Sequence, residues 1–132
     1  MVYLIVGLFG AVGALLRYSL GVSINMVWHQ AFPLATLTAN LVGSFFLGLL
    51  TMHLSRLKIF HPYLLTGLGT GLIGAFTTFS TFSVETVKLF QASHWVTAIF
   101  YVLISLWGGL FCSWMGFKLG DYLFKKKHAV NL

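Results

Sequence analysis

Four long blocks of apolar residues divide the chain, at residues 2–22, 34–54, 63–90 and 95–120. Residues 34–54, 63–84 and 95–117 hold no charge, and 2–22 is broken only by Arg17. A helix needs roughly 20 apolar residues to cross a bilayer, so each block predicts a spanning helix. Short connections separate them, around residues 25–33, 56–62 and 91–94. Trp28, Trp95 and Tyr122 lie near the predicted ends, where aromatic side chains suit the headgroup region.

The third block breaks the pattern. Gly67, Gly69, Gly71 and Gly74 are followed at once by Thr77, Thr78, Ser80, Thr81 and Ser83. Glycine costs a helix interior about 1 kcal/mol relative to alanine. Serine and threonine can satisfy backbone groups that a broken helix frees in lipid. A break is therefore expected at residues 74–78. It would leave carbonyls and amides at membrane depth, where transporters use such groups to hold ions. The earlier glycines suit close helix packing.

Composition agrees with the pattern. Apolar residues make up 58%, aromatic residues 17% and charged residues 8% of 132, with two acidic residues in all. No soluble charged surface can be built from that, which excludes a secreted disulfide scaffold, a disordered linker and most soluble enzymes. Four spans consume nearly the whole length and leave no extramembrane domain. The N-terminus lacks the basic region and cleavage site of a secretory signal. Cys112 is the single cysteine, so neither an intrachain disulfide nor a cysteine metal cluster is expected. The net charge of +6 sits at segment ends rather than on a soluble face, which argues against nucleic acid. Arg56, Lys58, Lys125, Lys126 and Lys127 share the side of both termini, which predicts that side to be cytoplasmic.

Several residues could carry chemistry. Phe79 and Phe82, three apart, share a helix face, and ring edges are the positive part of an aromatic system. Such edges could meet a small anion without the full charge that would trap it. Plain packing is the alternative. Asn40 is an amide inside an uncharged block; it could donate to an anion while accepting from the protein, or bond between helices. Thr36, Asn40 and Ser44 form one polar stripe at four-residue spacing, and Tyr101, Ser105, Gly109 and Ser113 another. Arg17 is a charge inside a span, suited to drawing anions into a vestibule or to snorkelling. Glu85 and Lys88 are spaced for a helical ion pair. The five histidines show no metal-ligand spacing. No phosphate loop, HExxH or nucleophile triad is present, so no enzyme is expected.

These residues resemble the Fluc (CrcB) family of fluoride channels over essentially the full length. The resemblance rests on Gly10, Gly13, Arg17 and Tyr18 of a GxxGxxxRY motif, on TLTANLVGSFFLG at 36–48, and on GAFTTFSTFSVE at 74–85. It implies an all-α membrane protein of four transmembrane helices, the third broken, paired as an antiparallel, dual-topology dimer with pores at the interface. It implies passive, fluoride-selective conduction out of the cytoplasm, across a bacterial inner membrane. Asn40, Phe79, Phe82, Tyr101, Ser105 and Thr38 match pore positions on that pattern, and Arg17 the vestibule. Gly74 and Thr77 match backbone carbonyls that hold a structural sodium ion (Na+) at the dimer interface. Gly109 departs from relatives that carry a further pore serine. The basic bias toward one side points to a preferred orientation, and so to either a homodimer that tolerates it or a heterodimer with a related subunit. The runner-up is a proton-coupled small multidrug exporter, which would need a membrane-embedded acid facing a central cavity.

Overall fold

The computed structural model describes residues 1–54, 56 and 60–130, and for residues 54 and 127–130 the backbone alone. Lys58, and the side chains of Lys127 and His128, lie outside the described residues. The described chain is helical: α1 (Val2–Val27), α2 (Leu34–Leu49), α3 (Pro62–Thr66), α4 (Gly74–Phe76), α5 (Phe79–Gln91) and α6 (Trp95–Val130). Two π-helical stretches, Leu50–Leu54 and Gly67–Ile73, extend α2 and join α3 to α4. Three helical runs are long and apolar enough to cross a membrane: Val2–Val27, Leu34–His53 and Trp95–Lys126.

Two helices outrun the boundaries expected from the sequence. α1 continues through Asn25 to Val27 instead of ending at residue 22. α6 continues through the lysine-rich tail for 36 residues, about 54 Å at 1.5 Å per residue. Hydropathy marks where a helix leaves the apolar layer, and polar residues there can remain helical.

The third apolar block is two half-helices. One runs from the Pro62 start of α3 through the glycine-rich π-helical stretch to Phe76, and the other is α5. Between them Thr77 (φ −81°, ψ 161°) and Thr78 (φ −153°, ψ 127°) are extended. The π-helical character follows from its hydrogen bonding: the Gly74 amide donates to the Gly69 carbonyl, five residues back.

Glycines set the packing of the half-helix against α1. A Cβ on Gly13 would collide with the backbone of Leu72, and one on Gly71 would sit 2.7 Å from the Val6 carbonyl oxygen. The two backbones cross in direct contact, as small residues permit in lipid. α2 and α6 repeat the device at Gly48 against Ser113 and Gly116 against Phe45. Beyond Gly120, His53 Nδ1 lies 3.3 Å from the Gly120 carbonyl oxygen. Asp121 then binds Lys125 at 2.7 Å and Arg56 at 3.8 Å. The connection after α2 therefore meets the end of α6 on one side of the molecule.

Among the described residues the buried hydrophobic positions are few, and Leu37, Leu89, Ala98 and Tyr101 form one cluster, with Phe32, Leu41, Phe82 and Phe90 packed against it. Most other large apolar side chains point outward, among them Leu15 at 65% and Trp107 at 66% exposed. Lipid, not water, is the solvent that accepts such a surface.

Candidate functional site

The break is held open by one side chain. Asn40 Nδ2 donates to the Thr78 carbonyl oxygen at 2.9 Å, and the Thr78 amide donates to Asn40 Oδ1 at 2.8 Å. A side-chain amide here replaces a neighbouring strand, satisfying both backbone groups of an extended residue. The second hydrogen of Nδ2 remains for another acceptor. Thr78 also begins α5, its Oγ1 accepting from the Thr81 amide at 3.2 Å, an N-cap of the usual kind. On the other side of the break, the Thr77 amide and hydroxyl both donate to the Ile73 carbonyl, at 2.9 and 3.0 Å.

The consequence is electrostatic. The last carbonyls of residues 74–77 face no amide four residues on, because the Thr78 amide is bound to Asn40 and the next amides begin α5. Gly74 itself is helical, with φ −62° and ψ −36°. The break expected across 74–78 is thus confined to Thr77 and Thr78, and Gly74 contributes a released carbonyl rather than a bend.

A groove of about 490 Å³ opens beside the break, with Asn40, Gly43 and Ser44 of α2, Gly74, Thr77 and Thr78 at the break, Phe79 and Phe82 of α5, and Ser105 of α6 among its walls. Phe79 and Phe82 have ring centroids 5.9 Å apart at 37°. Phe79 is 79% exposed, while Phe82 packs on Tyr101 at 5.1 Å. The Ser105 hydroxyl is buried without a hydrogen-bond partner, a cost normally tolerated only where something else supplies one. Ser44 donates to the Asn40 carbonyl at 2.8 Å.

A second groove, of about 600 Å³, lies beside the α1–α2 and α5–α6 connections. Asn25, Gln30, Thr36, Thr81, Glu85, Lys88 and His94 contribute its polar surface. Between the grooves stands a hydroxyl–carboxylate group: Thr36 donates to Glu85 Oε1 at 2.9 Å and Tyr101 to Glu85 Oε2 at 2.8 Å. A third groove, of about 590 Å³, is almost wholly apolar and lies between α1, α2 and the glycine-rich half-helix.

The structure brings Asn40, Phe79, Phe82, Ser105, Gly74 and Thr77 together, and it sets three expected residues apart. Tyr101 is fully buried behind Phe82, its hydroxyl turned to Glu85 instead of the first groove. Thr38 donates to the Leu34 carbonyl at 2.8 Å; two residues from Asn40 is about 200° around a helix, so it faces away. Arg17 is half-buried on α1 and lines none of these grooves. With α1 ending at Val27, Arg17 stands ten residues, about 15 Å, inside its helix rather than near the end. The Glu85–Lys88 ion pair is also corrected: among the described residues the ion pairs are those of Asp121, and Glu85 binds hydroxyls.

Two features escaped the sequence reading. Gly43 lies under the break, where a Cβ would collide with Thr77 Cγ2; its place three residues after Asn40 was the available signal. The joining of Thr36, Glu85 and Tyr101 spans three helices and left no local pattern. Hard oxygen donors are what an alkali cation requires. The released carbonyls of Gly74 and Thr77 meet that requirement, and among the described residues no cluster of three His, Cys, Asp or Glu side chains offers another kind of site.

Comparison with known proteins follows the same residues. Residues 4–117 match the family described as "CrcB-like protein, Camphor Resistance (CrcB)". The chain is 55% identical to Fluoride-specific ion channel FluC 1 of Bacillus cereus, over 96% of this chain and 88% of the relative. It is 52% identical to FluC 1 of Bacillus anthracis, over 96% and 92%. It is 42% identical to FluC 2 of Listeria monocytogenes serotype 4b, over 99% and 100%. The match covers both half-helices of the break and most of α6, and this multi-pass membrane chain belongs to the CrcB family.

Proposed function

We propose that the chain is a fluoride-selective channel of the bacterial inner membrane, conducting passively and not an enzyme. The observation that carries this reading is its 55% identity, over 96% of its length, to a protein named a fluoride-specific ion channel. The first groove supplies the chemistry. Asn40 has a second amide hydrogen beyond the one given to Thr78, Phe79 and Phe82 line the groove with rings whose edges suit an anion, and Ser105 presents an unpartnered hydroxyl. Each attracts an anion weakly, so fluoride can leave again. Tyr101 positions this wall through its contact with Phe82. Arg17, a charge within the first span, draws anions toward a vestibule.

The functional unit is a pair of four-span subunits lying antiparallel, as a homodimer or with a related subunit. The support is physical. The open side of the break carries exposed Phe79, Ser80 and Thr81, together with unpaired backbone groups. Lipid cannot satisfy those groups, and a second protein surface can. Between two such breaks, Gly74 and Thr77 would hold a sodium ion by their carbonyls. The ion would neutralise the facing carbonyl ends and lock the subunits together.

Conduction needs no fuel. Neutral hydrogen fluoride crosses bilayers and dissociates in a less acidic cytoplasm, and the membrane potential drives the anion out, at about 2.3 kcal/mol per 100 mV. A proton-coupled exporter is not favoured, because Glu85 already receives hydroxyl bonds from Thr36 and Tyr101 and does not stand free in a central cavity. The test is efflux from liposomes holding this chain alone, under a potassium/valinomycin potential, with fluoride and chloride electrodes. Fast fluoride release without chloride release is expected. Equal release of both ions, or release that requires a proton gradient, would overturn the reading.

A further inference from the structure

The two polar grooves follow one another along α2 and α5, the inner closed on its third side by α6 and the outer by α1. Asn40 and Ser44 of the inner groove stand one and two turns from Thr36 of the outer on α2, and Phe82 of the inner stands one turn from Glu85 of the outer on α5. Phe82, Tyr101 and Glu85 stand in contact between the two. An anion arriving in the outer groove meets a carboxylate. Glu85 accepts two hydroxyl bonds and has no cation within ion-pair distance among the described residues. Lys88, one helical turn further along α5, is exposed, forms no ion pair among the described residues, and is the lysine lining that groove. His94 also lines it.

We propose that the outer groove is the mouth of the inner one and that Lys88 is an electrostatic steering residue of this anion path. Its ammonium offsets the field of Glu85 at the mouth and raises the local anion concentration, without touching the ion inside the first groove. A charge lining a low-dielectric cleft focuses its field into the cleft, so its position matters more than its contacts. The inference rests on the channel reading, and it locates in Lys88 a part of the conduction rate that the inner groove does not set.

The test is initial fluoride efflux from liposomes of the whole protein, for wild type, Lys88→Gln, Lys88→Glu and Lys88→Arg, with potassium glutamate setting equal ionic strength on both sides. At about 10 mM salt, where charges act over roughly 30 Å, Lys88→Gln is expected to be 2- to 5-fold slower, as an order of magnitude for one steering charge. Lys88→Glu is expected to be slower still, and Lys88→Arg to match wild type. At about 300 mM the variants are expected to converge. Equal rates for all four proteins at low salt would overturn the inference, as would a deficit that salt does not reduce, since that marks a lost contact or a damaged fold. Wild type that passes no fluoride at any salt would overturn the channel reading, and the inference with it. Wild type that conducts while Lys88→Gln is unaffected overturns the inference alone.

Discussion

Asn40 decides the local geometry of the break because an amide side chain carries a donor and an acceptor side by side. Paired with the Thr78 carbonyl and amide, it satisfies two groups that lipid would leave bare. Each such bond contributes about 1 kcal/mol, and a stranded partner costs more. Asn40→Ala should lower stability by about 2–4 kcal/mol, read as a fall in the thermal midpoint of the detergent-solubilised protein, and fluoride efflux should be lost. Asn40→Asp keeps the acceptor but turns a charged oxygen toward the Thr78 carbonyl, so it should be no better than Asn40→Ala. An Asn40→Asp protein as stable as wild type would show that the clamp does not hold the break. The importance of Asn40 was legible in the sequence, as an amide stranded in an apolar block. Its partner was not, because Thr78 is 38 residues away and presents only backbone.

At the scale of elements, the glycines divide by what surrounds them. Gly13 is pressed against the Leu72 backbone, while Gly21, eight residues further along α1, has nothing within 4 Å of a Cβ. Gly13→Ala should therefore separate α1 from the half-helix, at a cost of about 1–3 kcal/mol. Gly21→Ala should be neutral, or stabilising by up to about 1 kcal/mol through helix propensity. Thermal midpoints of the two variants check this, and equal effects would refute the close crossing. Residue type alone does not separate the two. Only the path of the partner backbone tells a contact from an open surface.

At the scale of the whole molecule, Phe79 and Phe82 part company. Phe82 packs against Tyr101 and the core, and Phe79 stands exposed beside an open groove. Phe79→Ile should cut fluoride efflux by an order of magnitude or more while leaving the thermal midpoint unchanged. Phe82→Ile should cut efflux and also destabilise by about 1–2 kcal/mol, through its lost ring contact and repacking. Efflux and thermal melts on the same preparations separate the two effects. Matching melting losses for both would place Phe79 in the core rather than on a path.

Period and composition determined a great deal on their own. Apolar blocks of bilayer length with almost no charge permit only membrane helices. A glycine run followed by hydroxyls permits a break, because those residue types lose least when a helix stops. The motifs around Gly74 and Asn40 then named the family. Tertiary structure decided what depends on distance between elements. It confined the break to Thr77 and Thr78, turned Tyr101 and Thr36 onto Glu85, and set Thr38 and Arg17 away from the groove. It also left Lys88 without an ion pair among the described residues, where spacing alone suggested one with Glu85. The physical reason is that helical periodicity records which face a residue occupies, whereas a hydrogen bond or a field depends on what another helix brings to that face.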